Sequence, residues 1–340
     1  MPREADAHRA RLIYLDQNIW VQLLRGIASG DASATRVRDL LVELRTRGDI
    51  RVPLSASHYL ESWHRRSERS RHALAGLMRD ISGYDTLAPV NVVEEAGVRF
   101  QLARLTPKIS APDPRSVLLG HGVNHAFGSN TGRFRVVASL ATDDLPEGDP
   151  VDPPAALLSA AALGGDAWEW FNLAGDQELI DMDGIEIAPE HRLGRSSVIF
   201  ERNVRDRVRN DPTVRKRVAD FIMTQEMINI LDYVNDACEA ADVDPHGLFV
   251  SPESMRSFVE SVPVTNVKYV LRLHRHRDLN YPIEQHDRTD LAALALAIPY
   301  CDVVVTERRW CHALERAGLD RKYGTTLASS LSGLAVEIEP

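Results

Sequence analysis

Arg11–Asp16, RLIYLD, is the stretch whose reading decides the fold. It is a short apolar run that ends in an acid, the signature of a strand buried on both faces of a parallel sheet. Immediately after it, Ile19–Arg25 places Trp20, Leu23 and Leu24 at helical spacing. Ala34–Arg47 then carries Val37, Leu40, Leu41 and Leu44 on one face, with Gly48 as its stop. Ile50–Leu54, IRVPL, predicts a second strand. A long helix follows through HYLESWHRRSERSRHALAGLMRDI, capped by Ser55 or Ser57. The order β-α-α-β-α predicts a parallel sheet covered by helices.

The C-terminal end has the same style. Asp290–Ile298, DLAALALAI, predicts an apolar helix, and Asp302–Thr306, DVVVT, a central strand. Arg308–Ala317 predicts a helix stopped by Gly318, with closing strands over Thr325–Leu331 and Leu334–Ile338. Between these ends the pattern changes. The proline- and acid-rich DDLPEGDPVDPPAA reads as a loop or linker. Ala155–Ala174 and Arg202–Ala241 read as helices. The expected organisation is therefore an α/β unit over residues 10–106 and 286–340, interrupted by a mostly helical insertion over 107–285.

Bulk properties narrow the function classes. The 340 residues suffice for a full core, and 44% hydrophobic with 26% charged residues is ordinary for a globular protein. No apolar run approaches the ~20 residues that span a bilayer, and the opening MPREADAHRA has no apolar stretch, so a cytoplasmic location is expected. Three cysteines, Cys238, Cys301 and Cys311, without a CxxC pair argue against a zinc ribbon or a disulfide framework. A net charge of −9 means that any nucleic-acid contact has to rest on local basic patches.

Four acids fall where an open parallel sheet gathers its chemistry, at strand carboxyl ends and the helix starts beyond them. Asp16 ends the first strand, Glu61 lies in the first turns of the helix after the second, Asp290 opens the apolar helix, and Glu307 follows the strand ending at Thr306. Brought together, such carboxylates repel and rise in pKa unless a cation joins them. Mg²⁺ or Mn²⁺, hard ions with oxygen ligands, would meet that need. Each acid also has a plainer role. Asp16 and Asp290 are good helix caps, and Glu61 can pair with Arg65 on one helix face.

In order and spacing, YLDQN, HYLESW, DLAALALA and CDVVVTE resemble the motifs of PIN-domain nucleases. The resemblance covers residues 10–100 and 286–335. It implies a Rossmann-like sheet, a Mg²⁺ or Mn²⁺ site built by Asp16, Glu61, Asp290 and Glu307, and supporting polar roles for Asn18 and Thr306. Two features depart from the family pattern. The last acid is usually Asp, two places after the threonine, whereas here it is Glu307, one place after. Asp287 also competes with Asp290, since both share a helix face in QHDRTD.

The resemblance implies endonucleolytic cleavage, with RNA ahead of DNA as substrate, and leaves room for an inhibitory protein partner. Basic residues near the acids, Arg65, Arg272, Arg275 and Arg308, are candidate phosphate contacts. The Arg202–Arg217 run reads instead as a solvated face. His121 and His125 are four apart, but the intervening GVN speaks against a helical metal pair. Two other functions compete with the nuclease: a Rossmann-like phosphatase, disfavoured because Asn18 stands where a second Asp is needed, and a non-catalytic binding module.

Overall fold

The structure is a computed structural model describing residues 9–63, 65, 67–133, 135–136, 162, 164–175, 185–186, 190–279, 283 and 286–339. The proline-rich stretch at 143–156 lies outside the described residues, as do His64 and Arg66.

A parallel four-stranded sheet forms the centre, in the order β2-β1-β7-β8. These strands are β1 (Arg11–Leu15), β2 (Ile50–Arg51), β7 (Val303–Val305) and β8 (Thr326–Ala328). Beyond β2, Leu54 forms a parallel bridge to Thr86 in β3 (Asp85–Leu87), which pairs antiparallel with β4 (Leu119–His121). Pro53 interrupts the predicted Ile50–Leu54 strand because it has no N–H for the ladder. Pairing resumes at Leu54, whose N–H donates to Asp85 O at 2.8 Å. A separate two-residue ribbon joins β5 (Arg135–Val136) to β6 (Ile185–Glu186).

Strand residues alternate between two cores, as the period of two requires. Ile13, Leu15, Val303 and Val305 face a core shared with α1 (Gln17–Ala28), α2 (Ala32–Arg47), α3 (Ala56–Trp63) and α4 (Glu68–Ser82). Leu12, Tyr14 and Val304 face the opposite core, built with the Pro263–Arg277, His286–Tyr300 and Arg308–Arg316 helices. A third core lies among helices, where α5 (Val90–Leu105) contributes Val98 and Leu102 against Ile222, Val234 and Phe258. The middle of the chain feeds all three cores. Trp168 and Leu173 pack in the first and Val264 and Leu271 in the second.

Three local expectations change. The helix predicted through HYLESW…MRDI is two helices, α3 and α4, because Ser67 adopts an extended conformation and caps α4 by accepting from Ser70 N. Leu334–Ile338, expected as a strand, belongs to the helix Leu331–Ile338. Its apolar residues Leu331, Leu334 and Ile338 recur at the helical period, and Ser330 caps it through Gly333 N. The apolar helix begins at His286, four residues before Asp290. Asp290 therefore sits inside it and does not cap it.

Gly122–Phe127 is a short helix despite its GVN, since buried Glu169 accepts from Val123 N at 2.8 Å. His121 is exposed against the Tyr84 ring, while His125 bonds Thr86 Oγ1 at 2.9 Å, so the two histidines serve separate contacts.

Candidate carboxylate site at the strand switch point

The sheet runs outward from β1 to β2 and β3 on one side, and from β7 to β8 on the other. The order of strands thus reverses between β1 and β7. A crevice opens beyond the carboxyl ends at such a point, and side chains there are reachable from both halves of the sheet. Asp16 and Thr306 stand at that point, one after each strand, with Asp16 N donating to Val305 O at 2.9 Å.

Asp16 is buried and plays two structural roles. Its Oδ1 accepts from Gln17 N at 2.7 Å, which caps α1, and its Oδ2 accepts from Thr306 Oγ1 at 2.7 Å. The plain capping role read from the sequence is therefore real. It does not exhaust the group, because an ionised carboxylate offers about four acceptor positions. Burial raises the Asp16 pKa. The bonds from Thr306 and Gln17 work against that, Glu307 adds to it, and Arg309 lowers it.

Glu61 lies in the second turn of α3, and a buried histidine sets where that helix stands. His58 Nδ1 accepts from Ser55 N at 2.8 Å. Its Nε2 bonds Leu15 O at 2.9 Å, so it must carry the proton, because a carbonyl can only accept. The ring is thereby held neutral, and burial lowers its pKa to about 4. The histidine ties the helix bearing Glu61 to the residue before Asp16. Tyr14 continues this polar chain at 3.2 Å from Ser55 Oγ, which lies 2.6 Å from Ser57 Oγ. Burial, then the charges of Asp290 and Asp16, push Glu61 up to about 8.

Glu307 enters from the first residue beyond Thr306, where its side chain makes no cap bond to its own helix. It accepts instead from Asn18 Nδ2 at 2.5 Å and pairs with Arg309 Nε at 2.6 Å. Arg309 Nη2 lies 3.5 Å from Asp290 Oδ2. Asp16, Glu61, Asp290 and Glu307, scattered over almost the whole chain, thus feel one another directly or through Arg309. The side chain of Asp287 lies outside the described residues.

The donor set is oxygen-only and partly buried, the ligand chemistry that a hard divalent ion takes. As they stand, no three histidine, cysteine, aspartate or glutamate side chains among the described residues are grouped so as to hold a metal. Asn18 and Arg309 hold Glu307, and Arg309 draws on Asp290. Asp16 and Glu61 would be the inner ligands, with Asp290 and Glu307 joining from the rim.

The basic candidates divide sharply. Arg65 donates to Ser70 Oγ at 2.8 and 3.0 Å, and its pKa falls through burial and then the charge of Arg25. Arg25, in α1, and Arg65, between α3 and α4, are thus close enough for their charges to oppose each other. Arg308 is exposed. The expected phosphate contacts of Arg272 and Arg275 do not fit the fold. Arg272 is 7% exposed and spends its guanidinium on Glu201, at 2.8 Å, and on Glu226. Arg275 is 2% exposed. His276 is buried with its Nε2 2.6 Å from Glu201 Oε2.

Arg25 and His58 are parts of the site that the sequence analysis does not single out. A histidine three residues before a candidate ligand was the one visible hint. Comparison with protein-family models, curated proteins and solved structures found no match to this chain. Among the described residues no helix is long and apolar enough to cross a membrane.

Proposed function

We propose that the chain is a metal-dependent endonuclease of PIN-like type that cleaves phosphodiester bonds in RNA. In this reading residues 10–106 and 286–340 form the nuclease unit, and 107–285 are an insertion within it. One observation carries the reading. Asp16, Glu61, Asp290 and Glu307, from four separate elements, lie near one another beside the switch point of a parallel sheet, and Asp290 and Asp16 raise the pKa of Glu61. Carboxylates pushed up by burial and by one another concentrate at functional sites.

Bound Mg²⁺ or Mn²⁺ would supply charge neutralisation and an acidified water for hydrolysis. The protein's own part is positional. Thr306 and the first turn of α1 orient Asp16, His58 sets the distance from β1 to Glu61, and Asn18 steers Glu307. Arg25, Arg65 and Arg308 offer positive charge to a phosphate backbone, which the overall charge of −9 does not.

The test compares the protein with Asp16→Asn on RNA and single-stranded DNA, in Mg²⁺, Mn²⁺ or EDTA. Expected is RNA cleavage by the unaltered protein with metal only, reduced at least ~100-fold by the substitution. Binding without cleavage in every condition would point to a non-catalytic module. Phosphate release from small monoesters without polymer cleavage would point to a phosphatase. Either result overturns the proposal.

A further inference from the structure

Arg309 occupies an odd place for its charge. It is the second residue of the Arg308–Arg316 helix, where the positive end of the helix dipole disfavours a cation. Local preference would put an acid there. Two neighbours in sequence and one acid from another helix hold the arginine. Its Nε meets Glu307 Oε2 at 2.6 Å, its Nη2 meets Asp290 Oδ2 at 3.5 Å, and its guanidinium carbon lies 5.1 Å from the centre of the Trp310 ring. Two different nitrogens of one fork thus bridge two acids from two elements. A side chain placed against its local preference and held by functional groups marks a site where stability has yielded to use.

The bridge is also accessible. The Arg309 side chain is 45% exposed and that of Glu307 34%, whereas Asp290 is 16% exposed. The guanidinium can therefore leave along the solvent side without opening the core. A divalent ion seeks the same carboxylate oxygens and repels the arginine, so the two compete for them.

We propose that Arg309 is an internal counter-ion, which holds Glu307 and Asp290 while the site is ion-free and is displaced when a divalent cation binds. This rests on the nuclease reading above. It adds that metal loading is a cation exchange, in which Glu307 and Asp290 pass from the guanidinium to the ion. The displaced arginine then stands, still tethered at the helix start, beside the crevice in which a phosphate would lie.

Calorimetric titration of Mn²⁺ into metal-stripped protein tests this, using the unaltered chain, Arg309→Met and Arg309→Lys. The Met variant should bind Mn²⁺ about two- to fivefold more tightly, the worth of one partly exposed ion pair. Lysine keeps the competing charge and should stay close to the unaltered chain. Arginine-selective glyoxal labelling, read by mass spectrometry of the peptide containing Arg309, follows the displacement in the unaltered chain. Labelling should quicken with Mn²⁺ and slow again with EDTA. A merely structural arginine would lower the melting midpoint on removal without tightening Mn²⁺ binding. Equal Mn²⁺ affinity with unchanged labelling overturns the exchange and leaves the nuclease reading standing. No Mn²⁺ binding by either the unaltered chain or the Met variant overturns both.

Discussion

Two groups of buried charge in this molecule look alike in sequence and behave in opposite ways. Along the Pro263–Arg277 helix, Thr265, Lys268, Arg272 and His276 recur at helical spacing on one side. They meet three glutamates brought by other helices. Glu94 receives Thr265 at 2.8 Å and Lys268 at 2.9 Å, Glu226 receives Arg272, and Glu201 receives Arg272 at 2.8 Å and His276 at 2.6 Å. At the switch point, by contrast, Arg309 pairs with Glu307 and Asp290, and Asp290 and Asp16 oppose the charge of Glu61. In the first group every glutamate has a hydrogen-bonded basic partner, and the group is part of the framework. In the second, Asp290 and Asp16 raise the pKa of Glu61, and such mutual opposition marks acids that a bound cation would relieve. Proximity of basic residues to acids in the chain does not distinguish the two cases. Whether the partners are already taken does.

The sharpest way to break this contrast is Arg272→Ala. It strands Glu201 and Glu226 inside the helical core, and removing one partner of a buried pair costs about 3–5 kcal/mol. The melting midpoint should fall by on the order of 10 °C, as followed by circular dichroism. A midpoint unchanged within error would mean that the network is not a framework at all.

A smaller effect follows from acid titration of Glu201. Burial would raise its pKa, but the hydrogen bond from His276 and the charges of Arg272, His276 and Arg275 outweigh that and hold it at about 2. A depressed carboxylate contributes stability that is complete above its unfolded pKa of ~4.5 and is lost as pH falls towards 2. The unaltered chain should therefore lose stability between about pH 4.5 and pH 2. Glu201→Gln should be less stable near neutrality by about 1–3 kcal/mol, with a shallower acid limb. Parallel acid limbs for the two proteins would remove Glu201 from the network.

The smallest effect has the opposite sign. In EDTA, Glu61→Gln removes a carboxylate that Asp290 and Asp16 oppose, and it should stabilise the chain by about 1 kcal/mol, as active-site replacements often do. Mn²⁺ should then raise the midpoint of the unaltered chain more than that of the variant. A loss of stability in EDTA would place Glu61 among the satisfied acids and erase the contrast from its other side.

Much of the site could be read from the chain because its parts are local. RLIYLD announces a buried strand that ends in a usable acid, and β1 runs as expected to Leu15, with Asp16 next. DVVVT likewise announces β7, and Asp302 takes its place at the start of that strand, accepting from Leu12 N at 2.7 Å. The break at Ser67 was less legible, because HYLESWHRRSERSRHAL keeps helical composition throughout and a serine is a weak signal inside it. The final helix was misread because a short apolar run suits strand or helix until something packs against it. His276 is buried inside the helical core although it stands in the basic run RLHRHR.

Composition and periodicity were enough to place Asp16, Glu61 and Asp290 on their elements and to order those elements around a parallel sheet. These are properties of short windows, where strand alternation, helical spacing and the position of an acid at a strand end carry the information. The pairing of charges lay beyond any window. Arg309 has one partner, Glu307, two residues before it, whereas Arg272 has no glutamate within ten residues, and both take partners from distant parts of the chain. Glu201 and Glu226 lie 71 and 46 residues before Arg272, and Asp290 reaches Arg309 from another helix. Burial and long-range contact settle which charges are spent, because an ion pair in a folded chain depends on distance in space and on exclusion of water.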